Sequence, residues 1–130
     1  MNEITQLSAK GLGSQNKYVY TADEISEMLQ ISRREAYYLL HKAPGYKIIK
    51  FGRNIRADKA SFDDWFHGEE ESGPILTYTP EQVANIMIIS VKTARSRLMT
   101  ETNFRVLKFG SQIIRVHKTS FDKWLGLMSS

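Results

Sequence analysis

The chain of 130 residues has no cysteine, which excludes a disulfide framework, a thiolate metal site and a cysteine nucleophile. No apolar run approaches the roughly 18–20 residues needed to cross a bilayer, and no signal-peptide pattern opens the chain, so the expected compartment is the cytoplasm. The glycine patterns that bind phosphates or dinucleotides are missing, and no Ser/His/Asp grouping is readable. Its three histidines, His41, His67 and His117, are far apart and lack carboxylate or cysteine companions at metal-ligand spacing. A catalytic residue, a metal ligand and a cofactor site are therefore not expected, and the chain reads as a non-enzyme. What is present is 42% hydrophobic residues, enough for a core, and a net charge of +4. That charge fits a nucleic-acid partner without requiring one, so its distribution matters more than its total.

Comparing the chain with itself gives the decisive pattern. At a shift of 58, Tyr20-Thr21 falls on Tyr78-Thr79, Ile31-Ser32 on Ile89-Ser90, Ala36 on Ala94 and Leu40 on Leu98, and Lys50-Phe51-Gly52 matches Lys108-Phe109-Gly110 unchanged. One residue is then inserted in the second copy near Ile113-Ile114, and at a shift of 59 Arg56 meets Arg115, Phe62 meets Phe121 and Trp65 meets Trp124. The chain is a tandem repeat of one unit of about 50 residues. The expected organisation is a tail over 1–17, a first unit over 18–67, an acidic Gly/Pro linker over 68–75 and a second unit over 76–126. Units this small bury little surface, so the two are expected to pack on one another or on a second chain.

Within each unit the local signals agree. Thr21 with Glu24 three residues on forms a capping box, and Thr79 with Gln82 repeats it, with Pro80 at the favoured first helical position. Ile25, Met28 and Leu29 fall on one helical face. A second cap, Ser32 with Glu35, opens a helix that buries Ala36, Leu39 and Leu40 and turns Arg33, Arg34, Tyr37, Tyr38 and His41 outward. A basic, hydrogen-bonding outer face on the second of two capped helices is what a reader of the DNA major groove requires, although any helical hairpin with solvated arginines looks similar. The runs 46–51 (YKIIKF) and 104–109 (FRVLKF) predict strands, with returning strands over 55–57 and 113–116 after glycine turns. A short closing helix is expected over 58–66 and again over 117–125.

Helix, turn, helix, a two-stranded hairpin and a short aromatic helix, carried by YTADEISEMLQISRREAYYLL, KIIKFGRNIR and the Phe-Asp-Asp-Trp-Phe of residues 62–66, resemble the excisionase-like, MerR-type winged helix-turn-helix family. The second copy, from YTPEQVANIMIIS to FDKWL, looks like a more divergent member. The resemblance covers about residues 18–67 and 76–125. It implies a fold that is mainly α with small β-hairpin wings, in two tandem winged helix-turn-helix units, binding double-stranded DNA with the second helix in the major groove and the wing on the backbone or minor groove. Carried over by position, Arg33, Arg34, Tyr37 and Tyr38 face DNA in the first copy with Arg53 and Arg56 on its wing, and His41 touches DNA at the helix end. In the second copy the matching residues are Val91, Lys92, Arg95 and Ser96, with Ser111, Gln112 and Arg115 on the wing. Two departures stand out: the second wing turn lacks the usual arginine, and Val91 makes no charged contact.

The implied role is an excisionase-like recombination factor or a transcriptional regulator on a phage, plasmid or integrative element, in the bacterial or phage-infected nucleoid. A phage terminase small subunit or a replication initiator's DNA-recognition component uses related domains. A homodimer or a recombinase or polymerase partner fits such roles, a membrane does not, and the competing class is a protein-interaction module. Charge divides the copies: residues 18–67 hold 8 Lys/Arg against 7 Asp/Glu, and residues 76–125 hold 8 against 3. One account has the first copy reading sequence and the second supplying phosphate affinity; another has the second copy serving as a dimerisation surface. The triplet Glu69-Glu70-Glu71 and the pair Asp63-Asp64 read as solvated charge, Trp65 and Trp124 as core, and His67 and His117 as surface histidines.

Overall fold

The computed structural model describes residues 18–42, 45–68, 73–110 and 112–129, with side chains as far as residue 126. The expected tail over 1–17, the acidic triplet and Ser111 lie outside the described residues. The order of elements is β1 (Val19–Tyr20), α1 (Ala22–Leu29), α2 (Arg33–Lys42), β2 (Ile48–Phe51), β3 (Asn54–Asp58), α3 (Lys59–His67), β4 (Thr77–Tyr78), α4 (Pro80–Met87), α5 (Val91–Leu98), β5 (Val106–Phe109), β6 (Ile113–His117) and α6 (Lys118–Ser129). The chain forms two compact units that divide between Trp65 and Phe66, within the last turn of α3. Among the described residues no helix is long and apolar enough to cross a membrane.

The caps start the helices as the sequence predicts. In the first unit the Glu24 backbone N–H donates to Thr21 Oγ1 at 3.2 Å and the Thr21 N–H to Glu24 Oε1 at 2.8 Å. Ser32 and Glu35 exchange the same pair of bonds at 2.9 and 3.0 Å. In the second unit Thr79 and Gln82 form the box at 2.8 and 3.1 Å, and the Thr93 N–H donates to Ser90 Oγ at 3.0 Å. Each box satisfies backbone donors that the first helical turn leaves unpaired.

The sheets differ from the expectation of bare hairpins. A third, two-residue strand joins each one, giving antiparallel orders β1-β3-β2 and β4-β6-β5. The chain is therefore mixed α/β where a mainly helical fold was expected. Residues 46–47 and 104–105 are not strand either. Tyr46 turns into the core and donates its hydroxyl to the Leu39 carbonyl at 2.9 Å, while the Lys47 N–H goes to Ser61 Oγ rather than to a neighbouring strand. Phe104 occupies the matching place without a hydroxyl, and the carbonyl matching Leu39, that of Arg97, accepts the Thr100 N–H at 3.2 Å instead. The inserted residue of the second copy lies within the hairpin turn. Phe51 pairs with Asn54 across a two-residue turn, and Phe109 pairs with Ile113 across a three-residue one. Turn positions absorb such a change without disturbing the ladder.

Each unit has its own aromatic core. In the first, Phe62 packs against Tyr20, Tyr46 and Trp65 with ring centroids 5.3, 4.8 and 5.2 Å away. Ile25, Leu29, Ala36, Leu39 and Leu40 of α1 and α2 are buried with it. Met28, expected on that face, is half-buried. In the second, Phe121 meets Tyr78, Phe104 and Trp124 at 5.5, 4.9 and 5.6 Å, over Val83, Ala84, Ala94 and Leu98. The tryptophans, read as core, are half-buried and pack against the core phenylalanines from the edge. The closing helices are tied to the short strands by matched bonds, Tyr20 Oη to Asp63 at 2.7 Å and Tyr78 Oη to Asp122 at 2.8 Å. Asp63 is consequently a structural acceptor and not merely a solvated charge. Burial and the bond to this carboxylate hold the Tyr20 hydroxyl far above the ordinary phenol range.

Candidate nucleic-acid interface

In the first unit α2 and the β2–β3 hairpin border an open cleft of about 550 Å³, lined by Ala22, Arg33, Arg34, Tyr37, Leu40, Arg53, Asn54, Ile55 and Arg56. Leu40 and Ile55 are buried and anchor helix and hairpin to the core, which holds the arginines of both elements around one space. Five residues singled out from sequence therefore come together: Arg33, Arg34 and Tyr37 from α2, and Arg53 and Arg56 from the hairpin. No carboxylate is among the lining residues. Arg33 pairs with Asp23, whose Oδ1 lies 2.7 Å from Arg33 Nε with both side chains exposed. Such a pair is worth about 0–1 kcal/mol and is readily exchanged for another anion. Arg56 is steadied by donating from Nη1 to the Ile55 carbonyl at 2.9 Å.

Tyr38 and His41 do not line this cleft. Both are exposed on α2, where the Lys42 ammonium stands 5.5 Å from the Tyr38 ring and His41 meets Tyr37 edge-on at 4.6 Å. Asn54 lines the cleft but was not singled out from sequence. It sits directly after the hairpin turn, and only the pairing register brings it beside α2.

The second unit repeats the arrangement with different chemistry. Its cleft of about 430 Å³ is lined by Arg95, Ser96, Met99, Lys108, Phe109, Gly110, Gln112, Ile113 and Ile114. Of the predicted residues it gathers Arg95, Ser96 and Gln112, whereas Val91, Lys92 and Arg115 are not in its lining. Arg115 instead donates from Nη1 to the Ile114 carbonyl at 2.7 Å, the conformation of Arg56. Lys108, unremarked in the sequence beyond its place in the repeated Lys-Phe-Gly, donates from Nζ to the Met99 carbonyl at 2.7 Å. A cation at the end of a helix both satisfies a free carbonyl and meets the negative end of the helix dipole. The repeated tripeptide hides a further difference. Phe51 is 80% exposed, while Phe109 is 6% exposed.

His67 and His117, expected at the surface, are both buried. The Ser120 backbone N–H donates to His117 Nδ1 at 3.1 Å, so the ring proton of His117 is on Nε2. That N–H reaches His67 Nδ1 at 2.8 Å, and His67 Nε2 in turn reaches the Gly73 carbonyl at 3.0 Å. The His117 ring is neutral in this chain of bonds, because a second proton on its Nδ1 would face the Ser120 N–H, donor against donor. His117 caps α6 as Asp58 caps α3, where the Ser61 N–H donates to Asp58 Oδ2 at 2.9 Å. Burial first, and then the neighbouring His67 and Arg105, push the His117 ring down to about 4. The Arg105 side chain donates from Nε to the Phe66 carbonyl at 2.6 Å. Sequence spacing gave no sign of this pair, since 50 residues separate its members.

No family model matches the chain, and comparison with curated proteins and with solved structures gives no match to either.

Proposed function

We propose that this protein binds double-stranded DNA as a tandem winged helix-turn-helix protein, with the first unit reading sequence. The observation that carries the reading is the first unit's cleft, where Arg33, Arg34 and Tyr37 of α2 and Arg53 and Arg56 of the hairpin face a common space without a carboxylate in the lining. A helix of the length of α2 fits the major groove, and arginine there donates two hydrogen bonds to guanine O6 and N7, the commonest specific contact. Arginines on the hairpin serve the phosphates, which fix register and add affinity regardless of sequence. The second unit offers Lys92, Arg95, Ser96 and Arg115 for the same purpose, with fewer groups suited to reading bases. The role that fits best is an excisionase-like recombination factor or a transcriptional regulator of a mobile element.

Salt dependence tests the reading. Neutralising roughly 6–8 phosphates gives a slope of log affinity against log salt on the order of −5 to −7. Duplex binding followed by anisotropy across about 50–300 mM salt should show this slope, and selection from random-sequence DNA should return a defined site. Absence of duplex binding throughout that range would refute the proposal.

A further inference from the structure

We propose that residues 86–91, the end of α4, the turn after it and the first residue of α5, are the surface through which two copies of this chain associate. Its sequence is Ile-Met-Ile-Ile-Ser-Val, and Ile86, Met87, Ile88, Ile89 and Val91 are all exposed, Ile88 to 88%. The matching turn of the first unit has Leu29 buried and carries Gln30, Ser32 and Arg33. Both turns put their cap residue in the left-handed region, Gln30 at φ 54° and Ile88 at φ 56°. That region is unfavourable for a β-branched side chain and easier for a polar one. Ile88 thus takes a strained backbone and leaves its side chain in water. The packing of its own unit explains neither.

A second copy is the occupant that the chemistry supports. The turn carries no charge, so a two-fold axis through Ile88 sets apolar against apolar with no charge buried at its centre. The five side chains expose on the order of 400 Å² of apolar surface, within the range of patches that serve as interaction sites. Two such patches with their rims reach about 1,000 Å², the lower bound for a specific association. DNA phosphates find nothing in this turn to pair with. None of the five residues lines the Arg95–Lys108 cleft, so the inference does not depend on the DNA reading.

Sedimentation velocity on the full chain from about 1 to 500 µM tests it, since an interface of this size is expected to give a midpoint of about 1–100 µM. Ile88→Gln and Val91→Arg introduce the residues that the first unit holds at the same places, so the backbone accepts them. The single change I88Q should raise the midpoint at least about tenfold, and I88Q/V91R should be monomeric throughout, with the melting temperature of the dilute protein unchanged or raised. The cysteine-free chain allows a second readout that leaves the rest of the turn intact. Ile88→Cys should crosslink to itself under mild oxidation at the concentrations where wild type dimerises, and Thr119→Cys, exposed on α6, should not. A wild type that stays monomeric at every concentration overturns the proposal. Equal dimerisation by I88Q/V91R, or equal crosslinking at both cysteines, does so as well.

Discussion

Acid should loosen the second unit through His117, and the size of the effect follows from its surroundings. The ring is 1% exposed, accepts from the Ser120 N–H and donates to His67. Its pKa falls from 6.5 to about 4 in the folded chain. Folding therefore favours the neutral ring, and the unfolded chain binds the extra proton between these two values. The stability contributed by the neutral ring is fully present above about pH 6.5 and is lost as the pH falls towards 4, by about 2 kcal/mol at pH 5 and about 3 kcal/mol at pH 4. His117→Asn keeps an acceptor for the Ser120 N–H and removes the titration. Acid-sensitive groups that do not touch His117 are common to both proteins and cancel in the difference. Each unit contains one tryptophan, so a W65F background leaves Trp124 to report the second unit alone. Urea melts by Trp124 fluorescence from pH 7.5 to 4 should show H117N less stable at neutral pH, with the gap closing by about 3 kcal/mol on acidification. A gap that stays constant over that range refutes the assignment of His117 as a neutral, buried cap.

Arg34→Ala should cost about 1–3 kcal/mol at one base position and relax preference there, whereas Arg115→Ala should weaken all duplexes about equally and flatten the salt slope by about 1; binding to a selected site and to its single-base variants checks both. Gly45→Ala should destabilise the first unit by about 1–3 kcal/mol. A Cβ there would lie 2.7 Å from Trp65 Cδ1 at φ +147°. Gly73→Ala, at φ +150° with open space around it, bears only the backbone strain and should cost less, as urea melts of the two variants would reveal.

The sequence by itself determined the repeat, the caps and the hairpins. Those features are local: a cap needs two residues three apart, and a hairpin needs a glycine turn between branched residues. The two copies also check each other: Ala36 and Leu40 recur as Ala94 and Leu98, which marks them as core, and Trp65 recurs as Trp124, which marks it as a packing residue. Tertiary structure decided what depends on distant partners. The strands Val19–Tyr20 and Thr77–Tyr78 are two residues long and exist only because β3 and β6 lie beside them, so no periodicity announces them. His67 and His117 became a buried pair because folding brought their rings within 2.8 Å. Arg33, Arg34, Tyr37, Arg53 and Arg56 were legible one by one as candidates, but only the packing of α2 beside the hairpin gathered them into one cleft and left Tyr38 and His41 out. Charge and periodicity are written along the chain, whereas burial and the company a side chain keeps are set by residues far away in sequence.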